Sequence, residues 1–310
     1  MKNSHTSALN SLSRSKTALA AALLALSSFT TQAADYYWDT DGATAGFGTA
    51  GGTWLNPTPG GTTGWSADST GASAIGSVTT GGGDNLNFGT DTVGLAAGTI
   101  TLPGTVSTAN LRFGKVSGDI TLSGGTISIG GGNNVIQASS GGGSTTATHT
   151  INSDITKSGG VLQFGTQNTN GEKYIVNGVL SGGFSLDGRM QNSTSVLTLN
   201  GLNTFTGNIS MVTGQYNVNT LADSGVDSSI GAGSSMSMGG NGGQNPRLVY
   251  TGSSATSTDR ALTVNANGVV GIIAQNGALD LSGTIKSNSG ATTYNLYLSG
   301  YADTGTNEVS

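Results

Sequence analysis

The chain has no cysteine, which excludes disulfides, thiolate nucleophiles and cysteine-ligated metals at once. Charged side chains are only 9% of the residues, too few for ion-pair networks to hold a fold of this length. Proline occurs four times in 310 residues, and tryptophan only at Trp38, Trp54 and Trp65. No apolar run reaches the ~20 residues of a membrane-spanning helix. Outside residues 17–29, no window of a dozen residues combines a 3.6-residue period with freedom from glycine, so helices are not expected. Residues 220–230, TLADSGVDSSI, are the one place where a short helical turn is expected.

What remains is glycine, 53 residues of it, set among Thr, Ser and Asn with an apolar fraction of 35%. The glycines lack the three-residue period of collagen, and the apolar residues come in dispersed, strand-sized pulses, unlike a disordered linker. Residues 196–218, VLTLNGLNTFTGNISMVTGQYNV, show the pattern best. Val196, Leu197 and Leu199, then Phe205, then Ile209 and Met211, then Tyr216 and Val218 alternate with a period near two, broken at Gly201, Gly207 and Gly214. Short strands with glycine corners build a coiled β-solenoid. The expected fold is all-β, a right-handed parallel β-helix with an N-terminal cap.

Weak internal repetition sets the coil. Leu86-Asn-Phe88-Gly89, Leu111-Arg-Phe113-Gly114 and Leu162-Gln-Phe164-Gly165 share L-x-F-G. Ile100-Thr-Leu102 recurs as Ile120-Thr-Leu122, and residues 122–129 echo residues 281–287. These spacings predict coils of ~20 to 25 residues, hence ~11 to 13 coils and a rod ~55 Å long.

Residues 1–34 read as a secretory signal peptide: Lys2, Arg14 and Lys16 precede the apolar run TALAAALLALSSF, and cleavage is expected after Ala33 or Ala34. Its removal takes three of the 11 basic residues and no acidic one, leaving 8 against 16 and a net charge of about −8. Such a surface excludes nucleic acid as a partner. Residues 35–91, with all three tryptophans, are expected to form a cap over the first coil. A carbohydrate-stacking surface made by the same rings is the alternative. Residues 92–310 are then the solenoid, with repeats clearest at 196–285. Residues 294–309 read as a strand pair without a closing cap, so Ser310 is expected to interrupt a longer protein.

The segment at residues 197–218 resembles the autotransporter-associated β-strand repeat, also called the passenger-associated transport repeat, of secreted bacterial proteins. Residues 220–236, 248–264 and 278–285 continue the likeness, and WDTDGATAGFGTAGGTW at residues 38–54 is similar to the N-terminal region of such proteins. The resemblance implies a β-helical passenger displayed at the cell surface or released. It implies a partner as well, an outer-membrane translocator barrel, of which this chain shows no sign.

Motifs for chemistry are thin. After signal removal His149 is the only histidine, in Thr-Ala-Thr-His-Thr, expected to be exposed or hydrogen-bonded and without catalytic partners. Gly46, Gly48 and Gly51 match a dinucleotide fingerprint formally, yet that pattern needs a helix to follow and Gly52, Thr53 and Trp54 offer none, so a loop is expected. Asp39-Thr-Asp41-Gly42 matches the start of a calcium loop but lacks the third oxygen ligand and the distant Glu. Residues 239–243 approach a calcium nonapeptide, with Gln244 where Asp should stand. Asp223 with Asp227, Asp187 beside Arg189, and Asp259 beside Arg260 are the candidate carboxylates for polysaccharide cleavage. Sequence neighbours in a corner do not oppose each other across a cleft, and corner Asp residues commonly bond their own backbone.

The expectation is therefore a non-enzymatic, exported passenger, extracellular or at the cell surface, with no catalytic residue, cofactor or metal. Its expected contribution is adhesion to glycans or cell-surface molecules, or self-association, through outward ladders of Thr, Ser and Asn. The alternative is a polysaccharide-binding or polysaccharide-cleaving β-helix.

Overall fold

A computed structural model describes residues 33–138, 142–166, 169–191, 194–240, 245–265, 269–288 and 295–300. The expected signal peptide therefore lies almost entirely outside the described residues, as do residues 241–244 and 301–310. The unit from Ala34 onward is a parallel β-solenoid. Its described residues contain strands and turns but no helix.

Two sheets run along the solenoid. The first stacks ten parallel strands from Asp35–Asp39 to Ile285–Ser287, and the second stacks nine from Gly98–Thr101 to Asn295–Gly300. A shorter third sheet joins Thr105–Thr108, Thr126–Ile129, Asp154–Lys157 and Leu180–Ser181 in the early coils, and Thr256–Thr258 pairs with Leu279–Leu281 on a third side of the late ones. Partners along the first sheet run Leu86, Leu111, Ile136, then Phe164, Gly188, Met211, Met238, Val264 and Ser287. These are eight full turns, with steps of 23 to 28 residues and a length of roughly 40 Å. The 11 to 13 coils expected are thus too many, because corners and excursions lengthen most turns beyond the shortest echo. That echo is out of register: Ile100 pairs with Leu122, so the turn there is 22 residues and not 20.

Alternation decides which side chains go inside. In the second sheet Ile100, Leu122, Ile151, Val176, Leu199, Val218 and Tyr250 stack inward, each fully or almost fully buried. One position along, Thr99, Thr121, Thr150, Ile175, Thr198 and Asn217 point out. At the corner after this sheet Asn152, Asn177 and Asn200 form a side-chain amide ladder, with links of 2.7 and 2.8 Å. Each rung passes a hydrogen bond to the next, which is how a chain without disulfides ties successive coils together.

The tryptophans belong to the core. Gly64–Ser66 adds an antiparallel strand to the outer edge of Asp35–Asp39, pairing Trp65 with Trp38. Trp38, Trp54 and Trp65 are at most 1% exposed, and Trp65 meets Trp38 and Trp54 edge-on at 4.9 and 5.1 Å. A carbohydrate-stacking surface is therefore ruled out for these rings. From Trp65 the aromatic column continues through Phe88 and Phe113, which stack at 5.1 Å in successive L-x-F-G motifs.

Residues 220–230 do not form the expected helical turn. Their polar side chains compete with the backbone for partners: the Ser229 hydroxyl accepts from the Asn219 and Thr220 N–H groups and donates to Asn219 Oδ1, while Asn203 pairs its backbone with Ser228 and donates its amide to Ser229 O. The segment is an excursion latched to the coil before it.

Gly188 occupies an inward position between Phe164 and Met211. A Cβ there would lie 2.2 Å from Tyr216 Cε1. The ring is held in place, because its hydroxyl oxygen lies 2.7 Å from both Gly188 O and Thr213 O, which share its one proton. Gly188→Ala is therefore expected to destabilise the fold by about 1–3 kcal/mol. An unchanged urea midpoint would contradict this packing.

Candidate functional site

His149 is neither exposed nor satisfied. It is 1% exposed, and neither ring nitrogen has a hydrogen-bond partner. It stacks on Phe113 at 4.1 Å and lies beside Tyr174, so the strand Thr148–Ile151 places it inward as one more ring of the aromatic column. Burial pushes its pKa down to about 3, against a smaller upward pull from Asp119. A neutral, enclosed imidazole has no route to a substrate.

Asp223, Asp259 and Asp187 are also committed to structure, while Asp227 is exposed. Asp223 Oδ1 accepts the Asp259 N–H at 2.9 Å, and Asp259 Oδ1 accepts the Ser224 N–H at 2.7 Å. Asp187 receives Arg189 at 2.7 Å in a half-exposed ion pair, an arrangement that contributes little to stability. Gly46 and Gly48 lie in a loop, as expected. The glycine run at residues 239–243 falls mostly outside the described residues.

Three buried ionisable groups escaped the sequence reading. Arg260, 1% exposed, donates to main-chain carbonyls of the 220–231 excursion. Lys157, 2% exposed, donates to Gly130 O, Gly132 O and Asn134 Oδ1, and burial lowers its pKa. Glu172 accepts from the N–H groups of Ala138 and Thr166 and from the Tyr174 hydroxyl. Burial raises its pKa to about 7 despite those donors. No strand period marks such residues, because each depends on what the neighbouring coil presents.

Four shallow grooves of about 330 to 400 Å³ are described on the surface, and none is lined by more than one carboxylate. The largest, 400 Å³, lies on the outer face of the second sheet. Its origin is a missing side chain. The outward ladder runs Gln215, Arg247, Gly271 and Tyr297, so Gly271 leaves a gap flanked by a guanidinium on one side and a phenol ring on the other. Asn245, Val269, Ile273 and Ser299 complete the walls, and Tyr297 is 60% exposed. An open groove with an aromatic ring, an arginine and an amide can stack on a sugar ring and hydrogen-bond its hydroxyls.

No protein-family model, no curated protein and no solved structure matches the chain.

Proposed function

We propose that the chain is the exported passenger of an autotransporter-like protein, a non-enzymatic solenoid serving adhesion or self-association at the cell surface. The observation that carries this reading is the pair of continuous sheets with hydroxyl and amide ladders turned outward, interrupted by the groove at Gly271. Repetition along such a surface multiplies weak contacts. The resemblance of residues 197–218 to the passenger-associated repeat supports the same reading, and assigns the repeat a part in export and in folding outside the cell. Export is supported further at Ala34, where the expected cleavage point adjoins the first coil: Ala34 O accepts from Asn85 N, and Ala34 N donates to Asp84 Oδ1.

The test combines a glycan array with sedimentation of the chain lacking residues 1–33. Retention on at least one glycan class is expected, weakened roughly tenfold by Tyr297→Ala, the equivalent of ~1.4 kcal/mol. A chain that stays monomeric at every concentration and binds no glycan would remove the reading. Reducing sugar released from a polysaccharide, and lost in Asp223→Ala, would favour an enzyme.

A further inference from the structure

The chain after Trp38 folds into a small closed loop. The Thr40 N–H donates to Phe47 O at 3.2 Å, and its hydroxyl reaches Phe47 O and Thr49 O at 3.1 and 2.9 Å. Inside the loop Asp39 is 0% exposed. Its Oδ1 accepts the N–H groups of Asp41 and Gly42 at 3.0 and 3.2 Å, which fixes the carboxylate plane. Its Oδ2 is buried with no donor, and Asp41 Oδ1 is buried with none either. The two carboxyl groups interact directly.

Two shielded carboxylate oxygens without donors repel each other and have lost their water, so the arrangement calls for positive charge between them. Neither described ion pair supplies it. We propose that Asp39 and Asp41 ligate a hard divalent cation of the calcium class, with main-chain carbonyls and water completing its shell. An all-oxygen donor pair disfavours zinc or copper, which take nitrogen and sulfur ligands. No cluster of three or more His, Asp or Glu exists among the described residues, so protein carboxylates supply only two of the six to eight oxygens that calcium takes. The affinity belongs with the weak extracellular class, roughly 10⁻⁴–10⁻³ M. The inference stands independently of the adhesion proposal.

Calcium chloride is added to the chelator-stripped full chain at pH 7.5, with thermal unfolding and tryptophan emission as readouts. Trp38, adjacent to Asp39 and edge-on to Trp65, reports on the loop. Calcium at about ten times its dissociation constant is expected to raise the midpoint by about 2–4 °C and to change the emission. The Asp41→Asn variant should lose both responses. A wild-type midpoint indifferent to calcium up to about 10 mM, well above that affinity class, would overturn the proposal. So would an equal shift in the two proteins, or a midpoint that follows pH without responding to calcium, which would assign the pair a shared proton. The wild-type arm decides the matter even if the variant misfolds.

Discussion

Arg260→Met is expected to cost about 3–5 kcal/mol of unfolding free energy, among the largest losses available to a single substitution in this chain. The guanidinium sits at the start of the strand Ala261–Val264 and reaches into the excursion of residues 220–231. Its Nε donates to Ala222 O at 2.9 Å, and one terminal nitrogen donates to Val226 O at 2.9 Å and Gly231 O at 2.7 Å. Longer contacts reach Ile230 O, Asp223 O and the Ser228 hydroxyl. Burial lowers the Arg260 pKa, and the charges of Asp259 and Asp223 oppose that shift. Methionine replaces the stem but leaves several carbonyls unpaired in a closed site. The expected result is a lower urea midpoint together with protease cleavage within residues 220–231, where the wild type resists. Lysine should rescue only partly, because a compact ammonium cannot span carbonyls that a planar fork reaches at once. Equal stability of Arg260→Met and wild type would show that the clasp contributes nothing.

The second large effect depends on pH and belongs to His149. A histidine whose folded pKa is depressed contributes stability above its unfolded pKa of about 6.5, and that contribution is lost as pH falls toward the folded value of about 3. In that window the unfolded chain binds the proton and the folded chain does not. Across it the wild type is expected to lose about 5 kcal/mol relative to His149→Phe, which preserves the stack on Phe113 and has nothing to protonate. At neutral pH the phenylalanine should already stabilise by about 1–3 kcal/mol, since it removes polar atoms that find no partner. Glu172 acts with the opposite sign: its raised pKa gives stability that is full below about 4.5 and lost as pH rises through about 7. The two proteins are therefore compared as a difference at each pH, in which Glu172 cancels. A difference that stays flat from pH 6.5 to pH 3 would refute the enclosed, neutral imidazole.

Strand pattern was legible wherever it repeats from coil to coil. The pulses in residues 196–218 are the strands Val196–Leu199, Ile209–Thr213 and Gln215–Val218, with Gly214 between the last two at φ +90°. The L-x-F-G motifs at Leu86 and Leu111 stand one turn apart in register, whereas the motif at Leu162 lies two turns further on and two residues out of register, since Leu111 leads through Ile136 to Phe164. Polar residues inside were not legible, because period-two alternation records direction and says nothing of partners. Lys157 and Asn134 are 23 residues apart and meet only because neighbouring coils stack. The groove was hidden for the same reason: Gly271 is one glycine among many until the register sets it between Arg247 and Tyr297.

The third sheet ends at Leu180–Ser181 while the other two continue. Under a lengthwise pull the backbone hydrogen bonds between rungs lie along the force, and those of one turn fail before the next is loaded. A tether at the late end would therefore draw off the late coils singly. Each would release on the order of 80 Å of chain, at ~3.4 Å per residue, while the early coils and their tryptophan plug held. Such a rod lengthens in steps under tension and does not snap.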